Sequence, residues 1–291
     1  YKDNTWSDVN ISSKTATNVT INNLTKLGTL VLGEFKAPPT LTCFNTNYNT
    51  DISQWIVAGT YTPNIVTVPN GDKRLRLTDN VQNRTSFAQL KRWFPGAGNK
   101  IVVEFNNYAY GGNGADGISL VFSDASTPSS PGGYGGSLGY ANYTSGIPGF
   151  TGGWLGIGFD EFGNFANPTE NRRGYPSGYT PITGANTPAG FYANSIAIRG
   201  SGSGTNGYWL LANTGTLSPK IWTSSNTYLT QSRYRVTMDH SNNINAYITV
   251  ERDTTGTGSN YVTLINKLDV KKTNSQQAAV PAQMIISFTS G

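Results

Sequence analysis

Asp160, Phe162 and Asn164 alternate along the segment Ile157-Gly158-Phe159-Asp160-Glu161-Phe162-Gly163-Asn164, which sets a carboxylate and a side-chain amide oxygen close together in a glycine-rich turn. Such donors suit a hard cation. Ca2+ takes about six to eight oxygens at roughly 2.3–2.6 Å, drawn from carboxylates, amide side chains, main-chain carbonyls and water. A strand that ends at Asp160 and turns through Phe162 to Asn164 offers one ion a carboxylate, a carbonyl and an amide oxygen. Taken alone the spacing reads first as an ordinary turn, because Asp, Gly and Asn are also the commonest turn residues.

The elements that must position this turn are strands. Only 13% of the 291 residues are charged, 34 are glycine, and Asn, Thr and Ser crowd every segment. Val, Ile, Thr, Tyr, Phe and Trp dominate the apolar stretches, which suits pleated, half-buried surfaces. Short apolar runs recur between Gly, Pro, Asn and Asp. Strands are expected at Arg74–Thr78, Ile101–Phe105, Ile118–Phe122, Ser195–Arg199, Tyr234–Met238, Ala246–Val250 and Met284–Phe288. This punctuation predicts an all-β sandwich or jelly roll of antiparallel sheets. Residues 1–34, with alternating Val19-Thr20-Ile21 and Leu30-Val31-Leu32, read as a β-rich extension or the end of a preceding element, and 35–291 as one large domain.

Residues 111–190 hold many of the glycines and prolines, but aromatic residues recur among them, so they read as ordered loops and not as a linker. The net charge of +5 comes from dispersed Lys and Arg without a basic run, so nucleic acid is not the expected partner. Cys43 is the only cysteine, which excludes an intrachain disulfide. No apolar run reaches the length of about eighteen residues that a membrane-spanning helix needs. The chain opens at Tyr1 and closes on Phe288-Thr289-Ser290-Gly291, and the expectation is a domain excised from a longer exported protein.

Three motifs in order carry a resemblance. Gly114-Ala115-Asp116-Gly117 followed by the apolar run to Phe122, then Gly133-Tyr134-Gly135-Gly136-Ser137-Leu138-Gly139, then Trp154 to Asn164 resemble the A-D-G strand, the G-G-x-L-G loop and the metal-loop strand of L-type (legume-type) lectins. More narrowly, 131–140, 152–170 and 195–205 look like the lectin-like domain of bacterial biogenesis proteins that accompany mannose-sensitive haemagglutinin type IV pili. The resemblance implies a concanavalin A-like jelly roll and a calcium-dependent carbohydrate-binding module of an extracellular, cell-surface adhesin or pilus-associated protein. Its implied partners are glycans and, by extension, pilus subunits. The implied sugar contacts are Asp116, Gly136 and Asn164, with Tyr134 as an aromatic neighbour. The implied Ca2+ ligands are Asp160, the Phe162 carbonyl and Asn164, completed by Asn167 or Glu170, of which Glu170 is favoured because a net-negative site holds Ca2+ better. The Ala115–Asp116 bond is expected to be cis. Gly158 stands where legume lectins have a glutamate for a second, transition metal, so that site is expected to be absent.

Catalysis is not expected. Asp160 and Glu161 are adjacent and point to opposite faces of an extended strand, whereas glycosidase carboxylates must face each other across a substrate. The lone histidine, His240, lies in an apparent turn. The alternative to a lectin is a non-catalytic module of the same fold that binds peptide or a neighbouring pilus subunit, its calcium serving structure. Tyr134, Tyr140, Phe150 and Trp154 would stack on sugar rings in the first case; Trp154 and Phe159 read better as core, and Tyr134 as the ligand contact.

Overall fold

The computed structural model describes residues 11–14, 19–21, 44–46, 52–179, 187–225 and 232–291. The chain separates into two compact units, Tyr1–Thr46 and Asn47–Gly291. In the first, strands β1 (Ile11–Lys14) and β2 (Val19–Ile21) pair antiparallel. The alternating Leu30-Val31-Leu32 segment and Cys43 lie outside the described residues.

The second unit is almost entirely β. In chain order it contains β3 (Trp55–Gly59), β4 (Asn64–Thr67), β5 (Lys73–Arg76), β6 (Ser86–Pro95), β7 (Lys100–Asn107), β8 (Ala109–Tyr110), β9 (Gly117–Asp124), β10 (Gly153–Asp160), β11 (Ser195–Arg199), β12 (Gly202–Ser203), β13 (Asn206–Gly207), β14 (Leu210–Asn213), β15 (Trp222–Thr223), β16 (Ser232–Asp239), β17 (Tyr247–Asp253), β18 (Val262–Asp269) and β19 (Gln283–Ser290). A seven-stranded sheet runs β14-β11-β10-β9-β19-β6-β3 and a four-stranded sheet runs β18-β17-β16-β7. Both are antiparallel throughout. All seven strands expected from the sequence are present, each matching or overlapping an observed strand.

The two sheets differ in how their faces are covered, and the side-chain pattern follows. Along β16, Ser232, Tyr234, Val236 and Met238 are buried while Arg233, Arg235, Thr237 and Asp239 are half-buried, the alternation of a sheet with one wet face. Outside, Arg233 and Arg235 both hold Glu104, at 2.8 and 2.7 Å. Inside, Tyr234 meets Phe159 at 4.5 Å between ring centroids, and Phe105 meets Phe159 at 5.3 Å and Phe288 at 4.9 Å. Rings from both sheets thus fill the space between them, and burying each contributes roughly 1.5–3 kcal/mol.

β10, by contrast, is buried at every position from Gly153 to Asp160, because its other face is roofed by loops. Phe150, Leu138, Tyr140, Phe165 and Tyr208 from those loops pack on Phe87, Val121, Ala197 and Leu210 of the sheet. Glycine in β10 makes the roof possible: a Cβ on Gly156 would collide with the Tyr140 ring, and one on Gly158 with the Phe165 ring. The fully buried Arg199 pins the roof from below, its guanidinium donating to the carbonyls of Phe165, Arg173 and Tyr208 at 2.7–2.8 Å.

Candidate functional site

Register brings the sequence motifs together. β9 and β10 pair with Gly117 opposite Asp160, so the A-D-G segment entering β9 and the turn leaving β10 emerge at the same end of the sheet. The Asp116 carbonyl accepts the N–H groups of Glu161 (3.0 Å) and Phe162 (3.3 Å), fastening one loop to the other. The Ala115–Asp116 peptide bond is cis. The third motif closes over this pair. Gly136 lies so close to Asn164 that a Cβ at 136 would collide with the Asn164 Cβ, and a Cβ on Gly135 would stand 4.0 Å from Oδ2 of Asp116. Asp116, Gly136 and Asn164, more than forty positions apart at the extremes of sequence, thus share one small surface.

Asp116 is half-buried, and its carboxylate has no hydrogen-bond partner among the described residues. Burial, reinforced by the charge of Glu170 and opposed by that of Arg172, raises its pKa above the ordinary aspartate value. Beside it is an apolar edge: Phe162 and Phe191 are exposed, at 41% and 52%, and meet edge to face at 5.3 Å. Tyr134 is half-buried and packs on Tyr143 at 4.7 Å. Tyr140, Phe150 and Trp154 are all buried. The expectation that Tyr140 and Phe150 face a ligand is therefore corrected: the loops fold inward over β10, and these rings form their underside.

Asp160 is fully buried. Its Oδ1 accepts Gly163 N–H at 2.7 Å and its Oδ2 accepts Phe165 N–H at 2.6 Å, so both carboxylate oxygens shape the turn from within. Burial pushes this carboxyl up to about 7 against the two N–H groups, with the Asp116 charge adding to the rise and Arg172 opposing it. Glu161 faces the other way, where its charge acts on the Tyr234 hydroxyl. Burial and the two neighbouring aspartates push it up to about 7 as well.

Glu170, the favoured last Ca2+ ligand, is committed elsewhere. Its Oε2 binds Nη2 of Arg172 at 2.6 Å and its Oε1 accepts the Tyr143 hydroxyl at 3.3 Å. Asn164 Oδ1 accepts from Asn167 Nδ2 at 3.4 Å. Among the described residues no group of three or more His, Cys, Asp and Glu side chains is gathered in one place. The acidic oxygens of the turn thus already have donors within the protein, and a buried guanidinium stands beside Glu170.

Arg172, Tyr143 and Phe191 are site residues that sequence reasoning missed, as it missed Glu251 and Asp253, a carboxylate pair two positions apart on β17. That pair is structural. Glu251 holds Arg235 at 3.4 Å, and Asp253 collects the N–H groups of Thr255, Gly258, Ser259 and Asn260 in the turn that follows. His240 is buried in the turn after β16, with Nδ1 accepting Gly98 N–H at 3.0 Å and its pKa lowered by burial and by Lys271. Neither offers a catalytic group at the surface described above.

No protein-family model matches the chain, and no curated protein matches it in sequence. Solved structures do. A seed lectin of Lotus tetragonolobus superposes with a TM-score of 0.51 at 16% identity, covering 85% of this chain and 89% of that one. The fold is that of the legume lectins. A lectin of Bauhinia forficata, solved in complex with GalNAc, gives 0.50 at 14% identity over 85% and 90% of the two chains. Among the described residues no helix is long and apolar enough to cross a membrane.

Proposed function

We propose that the Asn47–Gly291 unit is a carbohydrate-binding module without catalytic activity. One observation carries the reading: the Asp116 carboxylate, without a hydrogen-bond partner among the described residues, stands beside the Gly135–Gly136 backbone and Asn164 and next to the exposed Phe162–Phe191 edge. An ionised carboxylate is a strong acceptor for paired hydroxyls. An exposed ring takes the apolar face of a pyranose. A surface with both side by side suits a saccharide, whose hydroxyls and apolar ring face are matched by the two. The setting we propose is the bacterial cell surface, in an exported adhesin or pilus-associated protein, supported by the likeness of 131–140 and 152–170 to pilus-associated lectin-like domains.

The test is a glycan array with wild-type protein and Gly136→Ala. The added methyl must displace Asn164, so the variant is expected to lose its glycan hits while its melting temperature falls by only a few degrees, since the change lies at the rim of the roof. Unchanged hits with Gly136→Ala would remove Asn164 and its loop from the site.

A further inference from the structure

Arg172 has no place in the expected site, yet it is one of the most enclosed charges in the protein, with its side chain wholly shielded from solvent. Four hydrogen bonds fix it. Nε donates to the Asn167 carbonyl (3.3 Å), Nη1 to Ser137 Oγ (3.1 Å), and Nη2 to both Thr169 Oγ1 (3.3 Å) and Glu170 Oε2 (2.6 Å). Ser137 belongs to the same short loop as Gly136, and Asn167 to Glu170 continue the turn that bears Asn164. One guanidinium thus ties together the two loops that meet at Gly136 and Asn164.

The local backbone is bent to deliver it. Glu170 and Asn171 both adopt left-handed conformations, φ 55° and 64°, which a side chain disfavours, and this double turn folds Arg172 back beneath the loop. Ser137 Oγ passes the connection on to the Asn142 carbonyl at 2.9 Å, and Asn142 Nδ2 returns to the Asn171 carbonyl at 2.8 Å, closing a ring of contacts around the guanidinium.

Ordering a polar loop by drawing carbonyl, hydroxyl and carboxylate oxygens around one positive charge is the work a bound cation does. We propose that the Arg172 guanidinium is the built-in cation of this site, and that the module orders its loops, and binds its saccharide, without a metal ion. The second half of this statement rests on the carbohydrate reading above; the first does not. Planarity and five fixed donors let an arginine span ligands that the compact ammonium of lysine cannot.

The experiment uses the full chain, stripped with chelator and then titrated with calcium chloride alone. Melting is followed in chelator and in millimolar calcium, and amide hydrogen exchange is read at Gly163 and Phe165 in wild type, Arg172→Met and Arg172→Lys. We expect no binding heat for calcium and no shift in the wild-type melting temperature, where a tight structural calcium site would give a rise of roughly 10 °C. Arg172→Met and Arg172→Lys are expected to speed exchange at both amides at least about tenfold, since the loops lose their shared anchor. Stoichiometric calcium heat, a chelator-sensitive melting temperature, or unchanged exchange in a folded Arg172 variant would overturn the inference. If Arg172→Met does not fold, Arg172→Lys and the wild-type titration still decide it. Glycan binding by wild type that vanishes in chelator would sink the built-in cation and leave the carbohydrate reading standing; a calcium-indifferent protein with variant-loosened loops and no glycan ligand would do the reverse.

Discussion

Asp116→Ala is expected to raise the dissociation constant for any saccharide the module binds by about a hundredfold or more, with little change in melting temperature. Two hydrogen bonds from sugar hydroxyls to an ionised carboxylate are worth roughly 1.5–3 kcal/mol each, and no bond within the protein depends on this side chain among the described residues. Isothermal titration of wild type and variant measures the effect; a loss below about threefold would show that the carboxylate does not touch the ligand. The pH dependence has a definite sign. Burial and the nearby Glu170 charge raise the Asp116 pKa, so its ionised form is lost at a higher pH than an ordinary aspartate's, and affinity should fall as pH drops through that raised value. The fold responds oppositely. A carboxyl whose pKa is higher folded than unfolded adds stability below the unfolded value, and that contribution disappears as pH rises through the folded one. Acid should therefore weaken binding without weakening the protein at this residue, and Asp116→Asn should flatten the binding profile.

The second large effect is on stability. Gly158→Val sets a branched side chain where even a methyl would strike the Phe165 ring, under a roof with no slack: Phe165, Tyr140, Phe150 and Tyr208 are all fully buried. Overpacking of this kind costs about 1–3 kcal/mol, and more where backbone must move, which for a domain of this size lowers the melting temperature by roughly 2–12 °C. The damage should reach the site as well, because Phe165 N–H is one of the two donors that hold Asp160, 2.6 Å from its Oδ2. A variant that melts like wild type would mean that the roof is not close-packed on β10.

These two residues mark how far the sequence could be read. Asp116 stands out in the sequence because a short motif, A-D-G, precedes an apolar run there, and the strands around it are rich in Val, Ile and Phe. Ile118–Phe122 and Met284–Phe288 are such runs, and both lie in the middle of the seven-stranded sheet. Ser86–Pro95 and Val262–Asp269 were not marked as strands. The first mixes Gln, Lys and Arg into its apolar run, and the second breaks its alternation where the pairing with β17 shifts register and Lys267 turns to φ 47°. Gly158 was noted only as a missing metal ligand. Its structural meaning depends on Phe165, which returns over the strand after a turn that Asp160 builds.

Arg172 was invisible for a further reason. Its importance comes from contacts with Ser137, from two left-handed residues just before it, and from complete burial, none of which a run such as Thr169-Glu170-Asn171-Arg172-Arg173 announces. The choice of Glu170 as a Ca2+ ligand meets the same limit. It rested on residue types, and Glu170 is the right type, but its carboxylate faces an internal cation. Tyr140 and Phe150 illustrate the same limit from the apolar side: in a glycine-rich loop an aromatic looks like a ligand platform until the loop is seen to lie against a sheet.

The most direct test of the carbohydrate site is a crystal structure of the protein with a saccharide identified on the array. Sugar hydroxyls are expected within hydrogen-bonding distance of the Asp116 carboxylate and the Asn164 side chain, with the pyranose against Phe162. A well-ordered saccharide seated elsewhere, with Asp116 left in water, would contradict it.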